Sequence, residues 1–195
     1  MDSLVRLTVI VIALAAATAA CKGGSDEPGA SPTDDTVTAA GPTTTGPVEG
    51  KTITNDEFTF TAPPGWEASE QTRALSLAID LGDLDGFSDN VNVVRDDSMA
   101  GLDSDAREDA MLAVLDQDAD ASDVLIEERF DIDGEEAVHA EATFDLTDSQ
   151  YRTEQYAVGH GEAGYIVTVS FSDTVPEAQR DSVSEAILAS WKWAS

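Results

Sequence analysis

The stretch AVHAEATFDL at residues 137–146 decides the fold of this chain. Its apolar positions alternate with polar ones: Val138, Ala140, Ala142, Phe144 and Leu146 against His139, Glu141, Thr143 and Asp145. Such alternation is typical of a strand with one buried face and one face in water. We therefore predict a strand here, with His139 on the wet face.

The surrounding segments continue the same pattern. Tyr165, Val167, Val169 and Phe171 alternate in the same way, and residues 151–160 precede them across the turn GEAG at 161–164. Consecutive antiparallel strands are expected from this order. Further strands are predicted at 51–54, 58–62, 75–81, 91–95 and 124–130, with Asn55-Asp56 and Asp133-Gly134 as turns.

Two amphipathic helices interrupt the strands, at residues 104–117 and 175–190. Thr174 and Glu177 are spaced as a capping box at the start of the second helix. The sequence thus predicts an α+β fold, a mainly antiparallel sheet flanked by two helices. Residues 51–195 have the length of a single globular domain that buries a core without disulfides.

Residues 1–20 have the order of a signal peptide. Arg6 precedes an apolar run at 7–17, and small residues then lead to Cys21, the only cysteine. As a helix, about 14 apolar or small residues span roughly 21 Å, less than the roughly 30 Å of a bilayer core. Residues 18–21 resemble a lipobox, which implies lipidation of Cys21 with acyl chains such as palmitate. The alternative is an ordinary secretory leader cleaved near Ala20, which leaves Cys21 free.

Residues 21–50 form the predicted disordered tether. They are rich in Gly, Pro, Ser, Thr, Asp and Ala, and Val37 and Val48 are their only larger aliphatic residues. Such a composition cannot offset its ordering entropy by burial. Thr43, Thr44 and Thr45 could accept O-linked sugar, although a plain spacer is the preferred interpretation.

The acidic composition excludes one class of partner. The chain has 39 acidic and 10 basic residues, a net charge of -29. A charge of this sign repels phosphate backbones, so nucleic-acid binding is excluded. The acid excess fits solubility, adaptation to salt, or a surface for cations and basic partners.

Motifs for catalysis or for a bound metal are missing from the sequence. There is no G-x-S-x-G, no H-E-x-x-H and no cysteine cluster, and His139 and His160 are the only histidines. We therefore predict no catalytic residue, no cofactor and no metal site. A zinc site would have to be assembled from scattered carboxylates and one or two imidazoles.

Three sets of residues admit both a binding role and a structural role. Residues 83–86 and 131–134 are similar to calcium loops, but Asp-Gly turns between strands explain them without a ligand. The three tryptophans could line a groove for an apolar or glycan ligand, or pack in the core: Trp66, Trp191 and Trp193.

A family resemblance extends over residues 50–195. It is carried by Phe60, Pro64-Gly65-Trp66, the segment GFSDNVNV at 86–93, Tyr156, Tyr165 and Ser190-Trp191-Lys192-Trp193. In this order they resemble the actinobacterial LpqN/LpqT lipoproteins, whose domain has the PsbP-like fold. The resemblance implies a non-catalytic envelope lipoprotein and brings no catalytic residues.

These observations lead to one principal hypothesis and two alternatives. The principal hypothesis is an extracytoplasmic binding or accessory protein, anchored to the cell membrane through lipid on Cys21. Its ligand would be an envelope protein, a lipid or a glycan. The alternatives are a hydrolase with a carboxylate pair and a structural acidic surface protein.

Overall fold

The computed structural model of the chain describes residues 50–70, 74–82, 87–146 and 149–194. The predicted signal peptide, Cys21 and the tether up to residue 49 lie outside the described residues, as do residues 83–86. The strands are β1 (Lys51–Thr54), β2 (Phe58–Ala62), β3 (Trp66–Ala68), β4 (Ser76–Asp80), β5 (Asn90–Arg95), β6 (Ala121–Ile126), β7 (Phe130–Ile132), β8 (Glu135–Asp145), β9 (Gln150–His160), β10 (Ala163–Ser172) and β11 (Lys192–Trp193). The helices are α1 (Ser104–Leu115) and α2 (Glu177–Ala189).

The strands form two antiparallel sheets. The larger sheet has the order β3-β4-β5-β10-β9-β8-β6, and β7 pairs with β8 beyond the end of β6. The smaller sheet has the order β1-β2-β11. With two helices beside these sheets, the predicted α+β class and the antiparallel pairing are confirmed.

Both faces of the large sheet are covered. One face packs against α1 through Met111 and Leu115, which join Val138 and Phe144 in one apolar cluster. The opposite face packs against the small sheet and α2, whose Ile187 lies in a second cluster. Each face therefore buries its own apolar cluster, and α2 covers the face that carries His139.

Two predicted turns are confirmed with their local geometry. Asp133 and Gly134 join β7 to β8, and both have positive φ, 51° and 90°. A two-residue hairpin with two positive φ values is a type I′ turn, which Asp-Gly favours. At the other turn, Asn55 Oδ1 accepts hydrogen bonds from the backbone N–H groups of Glu57 and Phe58.

The single strand predicted at 124–130 is wrong. The structure has two strands there, β6 and β7, and the chain leaves the ladder at Glu127, Glu128 and Arg129. A register shift between Ser122 and Leu125 and a positive φ of 49° at Asp123 already disturb β6. Such bulges bend a strand and aim its side chains differently.

The start of α2 also differs from the prediction. Its N-cap is Pro176, which makes no side-chain capping hydrogen bond, so Thr174 and Glu177 do not form a capping box. The fixed φ of proline, here -60°, suits the entry into a helix. Glu177 instead lies at the edge of a cavity.

None of the helices in the described ranges is both long and apolar enough to cross a membrane.

Candidate functional site: an acidic cavity between the sheet and α2

A cavity of about 310 Å³ lies between the large sheet and α2. The site is lined by side chains from β8, β9 and α2 and by the break between β6 and β7. Its apolar part is formed by Phe130 and Tyr156, and its carboxylates are Glu127, Glu128, Glu141, Glu177, Asp181 and Glu185. We call this feature the acidic cavity.

The sheet supplies the inner wall of the acidic cavity. His139 and Glu141 are two residues apart on β8, so their side chains share one face. Glu154 and Tyr156 stand in the same relation on β9, and the register pairs Glu141 with Glu154 and His139 with Tyr156. The His139 ring stacks on the Tyr156 ring with centroids 4.3 Å apart. These four side chains therefore form one polar and aromatic patch beneath α2.

Helix α2 supplies the outer wall. Glu177, Asp181 and Glu185 are four residues apart, a spacing that places them on one side of a helix. Arg180 points inward from the same helix, and its side chain is only 6% exposed. The helix thus contributes three carboxylates along the cavity and one buried guanidinium below them.

Arg180 bridges the two glutamates of the sheet. Its Nε donates to Glu154 Oε1 at 3.2 Å, and its Nη2 donates to Glu141 Oε2 at 3.3 Å. The second oxygen of Glu154 lies 2.7 Å from Nε2 of His139. Because the Glu154 side chain is 0% exposed, this carboxylate depends on Arg180 for its charge compensation and on Arg180 and His139 for its hydrogen bonds.

The remaining cation at the cavity is already engaged elsewhere. The Arg129 guanidinium forms ion pairs with Asp105, Glu108 and Glu136, which do not line the acidic cavity. Arg180 in turn is shared between two carboxylates. The lining of the cavity therefore carries an excess of negative charge that neither guanidinium balances.

Burial, with a further contribution from neighbouring negative charges, raises the pKa of two carboxyl groups at this site. Burial raises the pKa of Glu141, and the neighbouring Glu154 adds to this effect while Arg180 opposes it. Burial also raises the pKa of Asp181, with Glu154 and Glu177 as further causes. Both carboxylates would gain from a positive charge placed between them.

His139 lies in this site rather than in solvent, so its predicted wet position is wrong. Its side chain is 14% exposed because α2 covers that face of the sheet. From the sequence, a metal site would require scattered carboxylates and an imidazole to come together. The structure brings such residues together here. His139, Glu141 and Glu154 each offer a ligand atom, and these atoms lie within 4.8 Å of one another.

The other candidate residues lie away from the acidic cavity. His160 lies at the end of β9, where it stacks on Trp193 with ring centroids 4.4 Å apart. Trp66 and Trp191 are buried in the core, which confirms core packing for these two. Asp131 accepts a hydrogen bond from the backbone N–H of Gly134 and so belongs to the hairpin turn.

Several residues of the site were not singled out from the sequence. The break at Glu127 and Glu128 lies inside a segment predicted as one strand, although three consecutive charged residues, Glu127, Glu128 and Arg129, interrupt the alternation there. Arg180 gave no signal because its partners lie on distant strands. The spacing of the α2 acids was visible, but like charges four residues apart destabilise a helix, and only the fold shows what they face.

Comparisons with known proteins give the fold alone. Neither a protein-family profile nor a curated protein sequence matches the chain. A crystal structure from Bacteroides thetaiotaomicron matches 75% of this chain at a TM-score of 0.50 and 15% identity. The match spans about half of that longer protein, 49% of its chain. A protein of unknown function from Pseudomonas aeruginosa matches 59% of this chain and 77% of its own, at a TM-score of 0.42 and 14% identity.

Proposed function

We propose that this chain is a lipid-anchored binding protein of the bacterial cell envelope whose ligand is a cation held in the acidic cavity. The observation that carries the proposal is the unbalanced charge of that cavity. Of its six lining carboxylates, only Glu141 pairs with Arg180, which it shares with Glu154, and Arg129 pairs with carboxylates outside the cavity. Concave sites with a few convergent polar groups are the usual form of ligand pockets. We further propose membership of the LpqN/LpqT lipoproteins and a PsbP-like topology.

The location outside the cytoplasmic membrane rests on the leader and Cys21. A diacylated or triacylated cysteine holds a protein on a bilayer where a single acyl chain would not. The tether would then lift the domain away from the surface, so that the acidic cavity is open to ligands in the envelope. Mass spectrometry of the mature protein tests this part: a lipidated Cys21 at the amino terminus is expected, and an intact Met1 would contradict it.

The geometry of the Glu141–Glu154 pair favours binding over hydrolysis by these two carboxylates. A retaining glycosidase places its two carboxyl groups about 5–5.5 Å apart, and one of them attacks the substrate. Here the ligand oxygens of Glu141 and Glu154 lie within 4.8 Å, and Glu154 is 0% exposed beneath Arg180 and His139. A nucleophile enclosed in this way cannot reach a glycosidic bond, whereas the same arrangement can hold positive charge.

A thermal-shift panel tests cation binding by the full chain in detergent. The probes are Zn²⁺, Mn²⁺, Ca²⁺, spermidine and arginine methyl ester, each at matched ionic strength. A cation present at about 100 times its Kd stabilises the folded state by about 2.7 kcal/mol. We expect at least one probe to raise the Tm, and this increase should be smaller in the double variant Glu177→Gln/Glu185→Gln, which removes two of the six lining carboxylates.

The matched control is the double variant Asp109→Asn/Glu162→Gln, which removes two exposed carboxylates outside the cavity. It should keep the full thermal shift. Equal shifts in both double variants would mean that the cations bind the general acidic surface, and no shift with any probe would also overturn the proposed function.

A further inference from the structure

Two lining residues of the acidic cavity, His139 and Glu141, form with the buried Glu154 beside them a donor set suited to a metal ion. His139 offers an imidazole nitrogen, and Glu141 and Glu154 offer carboxylate oxygens, all within 4.8 Å of one another. A tetrahedral zinc ion with bonds of about 2.0–2.1 Å has ligand atoms about 3.3 Å apart. Small side-chain rotations would bring the three atoms to that separation.

Arg180 leaves donor atoms available on both glutamates. It occupies Oε2 of Glu141 and Oε1 of Glu154. The other oxygen of Glu154 faces His139 Nε2 at 2.7 Å, so a metal ion would replace the proton shared by this pair. Arg180 would then act as an outer partner that orients both carboxylates, as hydrogen-bonded partners of metal ligands commonly do.

The two glutamates place two negative charges at one point of the sheet. Glu141 and Glu154 lie directly opposite each other in the β8–β9 register, and like charges in that position destabilise a sheet. Arg180 pairs with both and supplies one positive charge. A divalent cation would complement the charge that Arg180 leaves unbalanced, together with that of the other carboxylates that line the cavity.

We propose that His139, Glu141 and Glu154 bind a divalent first-row transition-metal ion, with Zn²⁺ as the best match to a nitrogen and two oxygens. This rests on the proposed function and specifies its ligand. The imidazole favours such ions over Mg²⁺ and Ca²⁺, which take oxygen ligands. Three protein ligands leave at least one coordination position for water, which is the arrangement of an open zinc site.

The size of the acidic cavity fits a partly hydrated ion. At roughly 30 Å³ per water molecule, the volume of about 310 Å³ corresponds to about ten water molecules, which leaves room for water around an ion. Water molecules on the ion would reach the outer carboxylates, among them Asp181 and Glu185. These acids would also attract the cation towards the mouth of the cavity.

Isothermal titration calorimetry of the full chain in detergent, after treatment with a chelator, tests the metal site. Titration with ZnCl₂ should show one equivalent of tight binding. His139→Gln and Glu141→Gln should each lower the affinity by at least about 100-fold, since even the loss of an outer-shell partner costs about 10–100-fold. His160→Gln is the matched control, because it removes the other histidine and should leave binding unchanged.

Visible absorption of bound Co²⁺ gives a second measurement. It reports the ligands of the metal ion directly, so a variant that only changes protein stability would not alter it. Co²⁺ at the site should show visible bands of a tetrahedral ion, and His139→Cys should add a thiolate charge-transfer band while retaining the metal. Far-ultraviolet circular dichroism of each variant establishes that it is folded.

The remaining outcomes separate this inference from the proposed function. Stabilisation by spermidine or arginine methyl ester but not by any metal ion would overturn the metal site and leave the cation-binding function in place. Zinc binding that persists at full affinity in both His139→Gln and Glu141→Gln would also overturn it. Absence of any cation effect would overturn both proposals.

Discussion

Arg180 is the residue on which the site depends. Its side chain is 6% exposed and touches both Glu141 and Glu154, and its Nη1 donates to the backbone oxygen of Val175 at 3.3 Å. Breaking a buried ion pair by removing one partner costs more than the pair contributes, because a charge is left uncompensated. Arg180 therefore joins the stability of α2 to the geometry of the acidic cavity.

The raised pKa of Asp181 gives a pH-dependent contribution to stability. Burial and the charges of Glu154, Glu177 and Glu185 raise this pKa, while Arg180 opposes them. The folded state therefore binds the proton more tightly than the unfolded state, whose pKa is near 3.8. The cost of ionising Asp181 appears as the pH rises above that value and is fully present at neutral pH.

We accordingly predict that Asp181→Asn increases the free energy of unfolding at pH 7 relative to the wild type. This gain should shrink as the pH falls towards the unfolded pKa of Asp181, because the wild-type group then becomes neutral as well. Urea denaturation at a series of pH values measures the difference. Asp109→Asn, on the exposed side of α1, is the control, and a gain of the same size at every pH would contradict the prediction.

The hairpin of β7 and β8 positions the wall that carries His139. Its two-residue turn fixes the register Ile132 with Glu135, and through it the face on which His139 and Glu141 lie. A slip of one residue would move both side chains to the other side of the sheet. The backbone of the Asp133-Gly134 turn thus determines the composition of the acidic cavity.

We predict that Gly134→Ala destabilises the protein by about 1–2 kcal/mol, the cost of placing a Cβ in a left-handed conformation. Gly134 has φ 90°, and an added Cβ would have no atom within 4 Å, so the effect is one of the backbone alone. Chemical denaturation measures the change. Gly82→Ala is the comparison, since Gly82 is outside the left-handed region, and equal losses in both variants would contradict this explanation.

The net charge of -29 affects the whole protein. Like charges spread over a compact molecule repel one another, and salt shortens the range of that repulsion from about 30 Å at 0.01 M to about 8 Å at 0.15 M. General screening acts on every carboxylate, whereas a bound cation acts only at the acidic cavity. The two effects can therefore be separated.

We predict that NaCl raises the Tm of the wild type and of Glu177→Gln/Glu185→Gln alike. A divalent cation at the same ionic strength should raise the wild-type Tm further, and should do so by a smaller amount in the double variant, which keeps His139, Glu141 and Glu154 but lacks two of the surrounding carboxylates. Thermal unfolding followed by circular dichroism in matched salt series makes the comparison. If NaCl and divalent salts had identical effects at equal ionic strength, a salt-adapted surface protein would explain the data better than a binding protein.

Local sequence patterns were sufficient to predict most of the strands, both helices and the class of fold. Period-two alternation at residues 137–146 and 165–171, and the Asp133-Gly134 turn, are local signals, and the structure confirms the strands and the hairpin they predict. Local patterns are informative because backbone geometry links them directly to strands and turns. The identities of the two faces of a strand are also visible in the sequence.

What covers each face was decided only by the tertiary structure. From the sequence alone, the polar face of β8 is predicted to be exposed to solvent. In the structure, α2 packs over this face and encloses His139, Glu141 and Glu154. Arg180 meets its partners across 39 and 26 positions of the chain, and the break at Glu127 lies within an apparent strand. Contacts between residues so distant in sequence depend on how the elements pack. The acidic cavity therefore could not be predicted from the sequence pattern around the residues that line it.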